Sequence, residues 1–171
     1  MTRPTTAYPG TALREDDITA GRVLTVHDHL RAEYAWDAGL AIGRYLEGLK
    51  QGQILGVRCH RCRRTVVPPR AFCERCFSPM DAFVPLPDTG TVNTYSLCYV
   101  TWDVRRITEP QLPAVIDLDG TSPRAGILHL LGEIRPEAVR VGLRVQAAWK
   151  PAAQRRGAIT DIRYFKPLPG G

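Results

Sequence analysis

No apolar stretch in this 171-residue chain approaches the ~18 residues that a membrane span requires, and the opening residues, MTRPTTAYPG, carry no apolar run of the secretory kind. A chain kept in the cytoplasm, with no membrane association, is the expectation. Its paired cysteines are then better read as metal ligands than as a disulfide framework. Also missing are the phosphate-cradling GxGxxG and GxxxxGK[ST] patterns, the HExxH of zinc peptidases and the GxSxG of serine hydrolases. Each absence removes a class of self-contained chemistry and moves the reading toward a binder, a scaffold or a subunit.

Cysteine is scarce, and its placement is informative. Four of the five cysteines sit in "CHRCRRTVVPPRAFCERC" as two identical pairs, Cys59-x-x-Cys62 and Cys73-x-x-Cys76. At that spacing one tight turn points two sulfurs the same way, and two such turns make a tetrahedral four-sulfur site. A closed thiolate set leaves no position for water, so structural zinc is the first reading. An iron site of rubredoxin or cluster type and a redox dithiol pair are the alternatives. His60 lies beside a complete ligand set and is expected at the surface.

The net charge of +6 is concentrated around these cysteines, with seven basic and two acidic residues between positions 50 and 86. One Zn²⁺ held by four thiolates contributes −2, so Arg58, Arg61, Arg63, Arg64, Arg70 and Arg75 serve first to balance the centre. Arg70, behind Pro68 and Pro69, is the one singled out as a phosphate contact.

The fold class expected is mainly β with an N-terminal helix: a rubredoxin-like zinc ribbon followed by a five-stranded OB-fold barrel. Residues 1–27 read as a flexible tail without hydrophobic period. Residues 28–52 read as helical, on the stripe Leu30, Tyr34, Ala38, Ala41, Tyr45 and Leu49, widened by Ile42 and Leu46. Asp28 or Asp37 is the candidate cap and Gly52 the stop. Gly39 and Gly43 leave a notch for another backbone or merely weaken the helix. Residues 53–85 form the ribbon and 86–171 the barrel. Its strands are expected at 90–102, 112–118, 124–131, 143–150 and 158–165, with a short helix at "RPEAVRVG" between the third and fourth.

Chemistry within the barrel is thinly supported. Cys98 lies in the strand-like "YSLCYV", where a small buried residue is commoner than a nucleophile, and His129 has no positioned third group to complete a relay. Asp117 and Asp119 fit a strand-end turn. The pI near 9.3 and the aromatics Tyr95, Tyr99, Trp102, Trp149, Tyr164 and Phe165 keep single-stranded nucleic-acid binding as a rival reading.

The ordered pieces "YLEGLKQGQILGVRCHRC", "PPRAFCERC", "DTGTVNTYS", "PAVIDLDG", "GILHLLGE", "VGLRVQAAW" and "ITDIRYFKP" resemble the family of zinc-ribbon plus OB-fold accessory proteins that accompany thiolase-like acyl-CoA enzymes. The resemblance covers residues 36 to 167. It implies a non-catalytic partner in a hetero-oligomer with a thiolase-like protein. Cys59, Cys62, Cys73 and Cys76 would be zinc ligands, and coenzyme A or acyl-CoA would lie against the barrel, with Arg70 near its phosphates. The "WDAGLAIGRYLEGL" lead looks most like small subunits of thiolases of aromatic breakdown, such as benzoylsuccinyl-CoA thiolase. Steroid side-chain aldolases have a similar arrangement.

Overall fold

The computed structural model describes residues 14–24, 26 and 31–169. The chain divides into two compact units, Met1–Trp36 and Asp37–Gly171. In the first, a five-residue helix α1 (Glu15–Thr19) stands where an extended tail is expected. Arg22 grips Asp17 through Nε and Nη2 at 2.9 and 2.7 Å, and Asp17 in turn accepts the Arg14 N–H. Residues 1–13, 25 and 27 of the expected tail, and Asp28 as a cap, lie outside the described residues.

In the second unit, helix α2 runs Gly39–Gln51. It begins later than the periodic stripe implies. Residues 31–38 hold no regular structure, and Asp37 accepts the Gly39 N–H at 3.0 Å where Gly39 takes φ of +71°. The helix ends at Gly52 in the left-handed region, where Gly52 N–H reaches Leu49 O and Gln53 N–H reaches Gly48 O, the paired closure that satisfies the last carbonyls. Tyr45 and Leu49 enter the core as the stripe requires. The close backbone approach falls at Gly48, where a Cβ would stand 2.9 Å from Gln53 O and from Leu55 Cγ. Among the described residues nothing lies within 4 Å of a Cβ built at Gly39 or Gly43.

The chain then forms β1 (Ile54–Arg58), β2 (Thr65–Val66) and β3 (Ala82–Leu86), an antiparallel sheet in the order β2-β1-β3. Five strands follow as a second sheet: β4 (Thr89–Tyr95), β7 (Pro113–Leu118), β8 (Gly126–Leu130), β9 (Arg144–Trp149) and β10 (Ile162–Pro167), in the order β10-β9-β4-β7-β8. A parallel bridge between Leu131 and Phe165 joins the two edges, and Gly132 N–H donates to Phe165 O at 2.9 Å. That is the five-stranded barrel expected, with strand alternation filling its interior with Val92, Ile116, Val145, Ile162 and Phe165. The helix expected after β8 is reduced to one turn at Pro136–Ala138, because Val139 is extended and buried.

The first expected barrel strand, 90–102, is two elements. It leaves the barrel at Ser96, and β5 (Cys98–Val100) pairs with β6 (Arg106–Gln111) in a separate hairpin. At that hairpin's tip, Thr101 and Arg105 both bind Asp103, leaving Trp102 almost fully exposed.

Two carboxylates fix the barrel. Asp119 takes a two-pronged hydrogen bond from Arg144 at 2.7 and 2.6 Å and another from Thr89. Hydrogen bonding from Arg144 holds the Asp119 carboxyl at about 2, against partial desolvation and with Thr89 as a further donor. The folded pKa lies below the ordinary carboxylate value of about 3.9. Its stabilisation is therefore present above that value and lost as pH falls toward about 2. Asp161 is fully buried, yet it accepts N–H bonds from Arg156, Gly157 and Ala158 at 3.1, 2.7 and 3.0 Å. Desolvation pushes its carboxyl up, but these donors outweigh it and the net direction is down.

Urea unfolding of Asp161→Ala is expected to show a loss of about 3 kcal/mol, since three buried donors lose their acceptor. A loss below about 0.5 kcal/mol would show that these donors find other partners. Asp119→Asn is expected to flatten the decline in stability between about pH 4 and about pH 2. A slope there equal to wild type would remove Asp119 from the acid response.

Candidate metal centre

Two knuckles of the same design carry the four thiols. Cys59 N–H donates to Arg64 O and Arg63 N–H to Cys59 O, while Cys73 N–H donates to Ser78 O and Phe77 N–H to Cys73 O. The turn after each pair needs a left-handed residue, supplied by Arg63 (φ 59°) and Phe77 (φ 54°) rather than glycine. The first knuckle joins β1 to β2, and the second lies between β2 and β3, so the small sheet aims both inward.

The four Sγ atoms lie within 4.8 Å of one another, and Cys59 Sγ is 3.6 Å from Cys76 Sγ. A tetrahedron with metal–sulfur bonds of about 2.3 Å has edges of about 3.8 Å, so the donor set fits zinc, or tetrahedral iron, with no position left over. Cys59 and Cys73 are buried beside Val57, Val66, Met80 and Ala125, and Cys62 and Cys76 lie nearer the surface. Without a cation the thiols divide. Hydrogen bonds from the Ser78 hydroxyl and backbone draw Cys76 down to about 6, whereas the bond to Cys76, and then desolvation, push Cys62 up to about 12. A divalent cation favours the thiolate at all four positions.

His60 lies outside the set, bonded to Asp81 at 2.9 Å with both side chains exposed. The arginines separate by environment. Arg64 is largely buried, 2.5 Å from Glu74 and 3.1 Å from Pro123 O, and so ties the knuckle to the β7–β8 loop. Thr65 N–H to Ser122 Oγ and Ser122 N–H to Thr65 O complete that joint. Arg70 is exposed, with Nη1 3.9 Å from Glu74 Oε2.

The other sequence candidates stay apart from the sulfurs. Cys98 is half-buried on the hairpin beside Ser96, and His129 contacts Ile159 O, the Leu130 N–H and the Phe165 ring. Asp117 accepts from Asn93, and Asp119 is occupied by Arg144. Sequence reasoning missed Asp161, whose partners are backbone groups, and grouped Arg64 with the other arginines around the cysteines.

The zinc and sulfur content of the purified chain checks the centre. Wild type is expected to hold one zinc per chain by elemental analysis, and Cys73→Ser to lose it together with the protection of ribbon amides from hydrogen exchange. Full zinc in Cys73→Ser would exclude a four-sulfur site.

Domain models match consecutive parts of the chain: the rubredoxin-like zinc ribbon domain of ChsH2 over residues 46–81 and the C-terminal OB-fold domain of ChsH2 over residues 83–150. A DUF35 domain-containing scaffold protein of Methanocaldococcus jannaschii is 30% identical over 118 residues, covering 67% of this chain and 82% of the relative. A crystal structure of a DUF35-family protein of unknown function from Sulfolobus solfataricus is 26% identical, with a TM-score of 0.51 over 61% of this chain and 74% of that one. The Ltp2-ChsH2(DUF35) aldolase structure matches with a TM-score of 0.55 and 22% identity, over 79% of this chain and 98% of that one. At that identity it shows a shared fold.

Proposed function

Because the chain belongs to the DUF35 family, whose zinc ribbon and OB-fold domains it carries, we propose that it is a non-catalytic subunit of a complex for CoA-dependent C–C bond cleavage. In this reading it binds a thiolase-type enzyme that acts on a 3-oxoacyl-CoA, such as an aromatic benzoylsuccinyl-CoA. The barrel helps to hold CoA or acyl-CoA. Cys59, Cys62, Cys73 and Cys76 hold a structural zinc that braces the contact, and Arg70 meets a CoA phosphate.

The observation that carries the proposal is a face of α2 that none of the described residues covers. Among them, Leu40 is 92% exposed and nothing lies within 4 Å of the Gly43 Cβ position. Beside them a groove of about 320 Å³ is lined by Leu40, Ala41, Ala71, Met80 and Phe83, with Arg44 and Asp81 also on its walls. Arg44 lies over the Phe83 ring at 5.2 Å, so this apolar wall is already ordered. An apolar, preorganised surface of this kind fits a protein partner. The enzyme would then supply the nucleophile and oxyanion donors, while this chain supplies binding and position.

A steroid side-chain aldolase as the partner is the second reading, favoured by the shared fold with the Ltp2-ChsH2(DUF35) aldolase. Nucleic-acid binding ranks below both. Arg144 and Lys166 on the barrel are paired with Asp119 and Glu133, Phe165 is buried, and Tyr164 donates to Glu133 at 2.6 Å.

A tagged pull-down from native lysate, repeated after nuclease and high salt, tests the proposal. A thiolase-like protein is expected to survive both treatments; nucleic acid, or partners lost on nuclease treatment, would contradict it. Leu40→Glu with Gly43→Arg is expected to weaken co-elution by at least about tenfold at unchanged melting temperature. Gly39 is left intact because its φ of +71° would strain any replacement. Unchanged co-elution would remove α2 from the interface.

A further inference from the structure

We propose that the loop between β9 and β10 is a binding site for the phosphate or diphosphate group of a small-molecule ligand. From Lys150 to Thr160 the loop contains Lys150, Arg155 and Arg156 and no acidic residue. A cleft of about 470 Å³ opens there, lined by Lys150, Ala153, Gln154, Arg156 and Thr160. Among the described residues neither Lys150 nor Arg156 forms an ion pair, in contrast to the paired Arg144 and Lys166 of the same barrel.

The framework of the cleft is fixed at both ends. Lys150 N–H donates to Asp161 O at 2.9 Å and closes the loop. Arg155 is spent on structure, with its guanidinium 5.3 Å over the Trp149 ring and its Nε on Lys150 O at 2.8 Å. Asp161 follows the loop directly, but it is buried and filled by the N–H groups of Arg156, Gly157 and Ala158. It pins the backbone under Arg156, and Lys150 acts on it only at a distance, lowering the carboxyl without forming an ion pair with it. At Gly157 the missing side chain lets α2 approach, with Leu46 O at 3.2 Å and Lys50 Cβ at 3.8 Å from the Cβ position, so the helix backs the loop.

The donors suit a tetrahedral oxyanion. A guanidinium fork, an ammonium, the Gln154 amide and the Thr160 hydroxyl can each meet an oxygen, and Lys150 Nζ already lies 3.4 Å from Thr160 Oγ1. Base stacking has no platform beside them. Trp149 is capped by Arg155 and bonded to Asp88, and Tyr164 is turned to Glu133. A single strand needs such aromatic faces, so the cleft fits a phosphorylated small molecule better than a polynucleotide. This deepens the acyl-CoA reading and rests on it only for the identity of the ligand.

Calorimetric titration of the zinc-loaded full chain with inorganic pyrophosphate, ADP and a short oligothymidylate tests the site. Pyrophosphate and ADP are expected to bind, and Lys150→Gln with Arg156→Gln to weaken both by at least about tenfold at unchanged melting temperature. Each single variant is expected to lose about threefold, which serves if the double variant does not fold. Absent pyrophosphate binding, equal binding by the variants, or oligothymidylate binding more tightly than ADP would overturn the proposal. Loss of binding in Arg70→Gln but not in the loop variants would overturn the loop site and leave the acyl-CoA reading standing. Loop-dependent binding in a chain that captures no enzyme would retain the site and end that reading.

Discussion

Four sulfurs gathered within 4.8 Å are the constraint on which the ribbon and the elements packed on it depend. The ribbon's own core is small, Val57, Val66, Met80 and Ala125 around two of the cysteines, and a core of that size does not offset the entropy of ordering its loops. Four thiols placed for a metal offer the closure that such a core lacks. Its consequences extend outward. Through Arg64, Thr65 and Ser122 the knuckles hold the β7–β8 loop, and through β1 the ribbon supports α2 at Gly48. The exposed face of α2 is thereby presented on a rigid base.

The barrel contributes rigidity of another kind. Its interior is apolar and its strands are locked by Asp119 and Asp161. Chemistry of its own is not what this arrangement favours. Cys98 and His129 are engaged separately, with Ser96 and with Ile159 and Phe165, whereas α2 exposes apolar groups and the β9–β10 loop exposes Lys150 and Arg156, which form no ion pair among the described residues. This arrangement suits the proposed role of holding other components in place.

Much of this was legible in the sequence because the signals were local. The two Cys-x-x-Cys pairs define their turns, Gly52 stops α2, and alternation along "PAVIDLDG" and "RVQAAW" marks β7 and β9, whereas the N-cap of α2 is Ala38 and Asp37, just before it, accepts the Gly39 N–H. The start of α2 was obscured because Leu30 and Tyr34 continue the apolar stripe while Gly39 resets the backbone. "TVNTYSLCYVTW" contains no glycine or proline where the chain leaves the barrel, so two strands read as one, and Pro110 disguised β6 as a turn. The arginines around the cysteines look alike in sequence. Only the fold separates Arg64, bound to Glu74 and Pro123, from the exposed Arg70. Asp161 was invisible because its partners are backbone groups, which no side-chain pattern records.

The central claim is that this chain works by binding rather than by reacting. The most direct measurement is acyl-CoA cleavage by the co-eluting enzyme, assayed with and without this chain, alongside the chain by itself. Cleavage that needs both proteins, with this chain inert alone and its Cys98→Ala variant fully supportive, is the expected result. Turnover by this chain alone, or by the enzyme at the same rate without it, would contradict the claim.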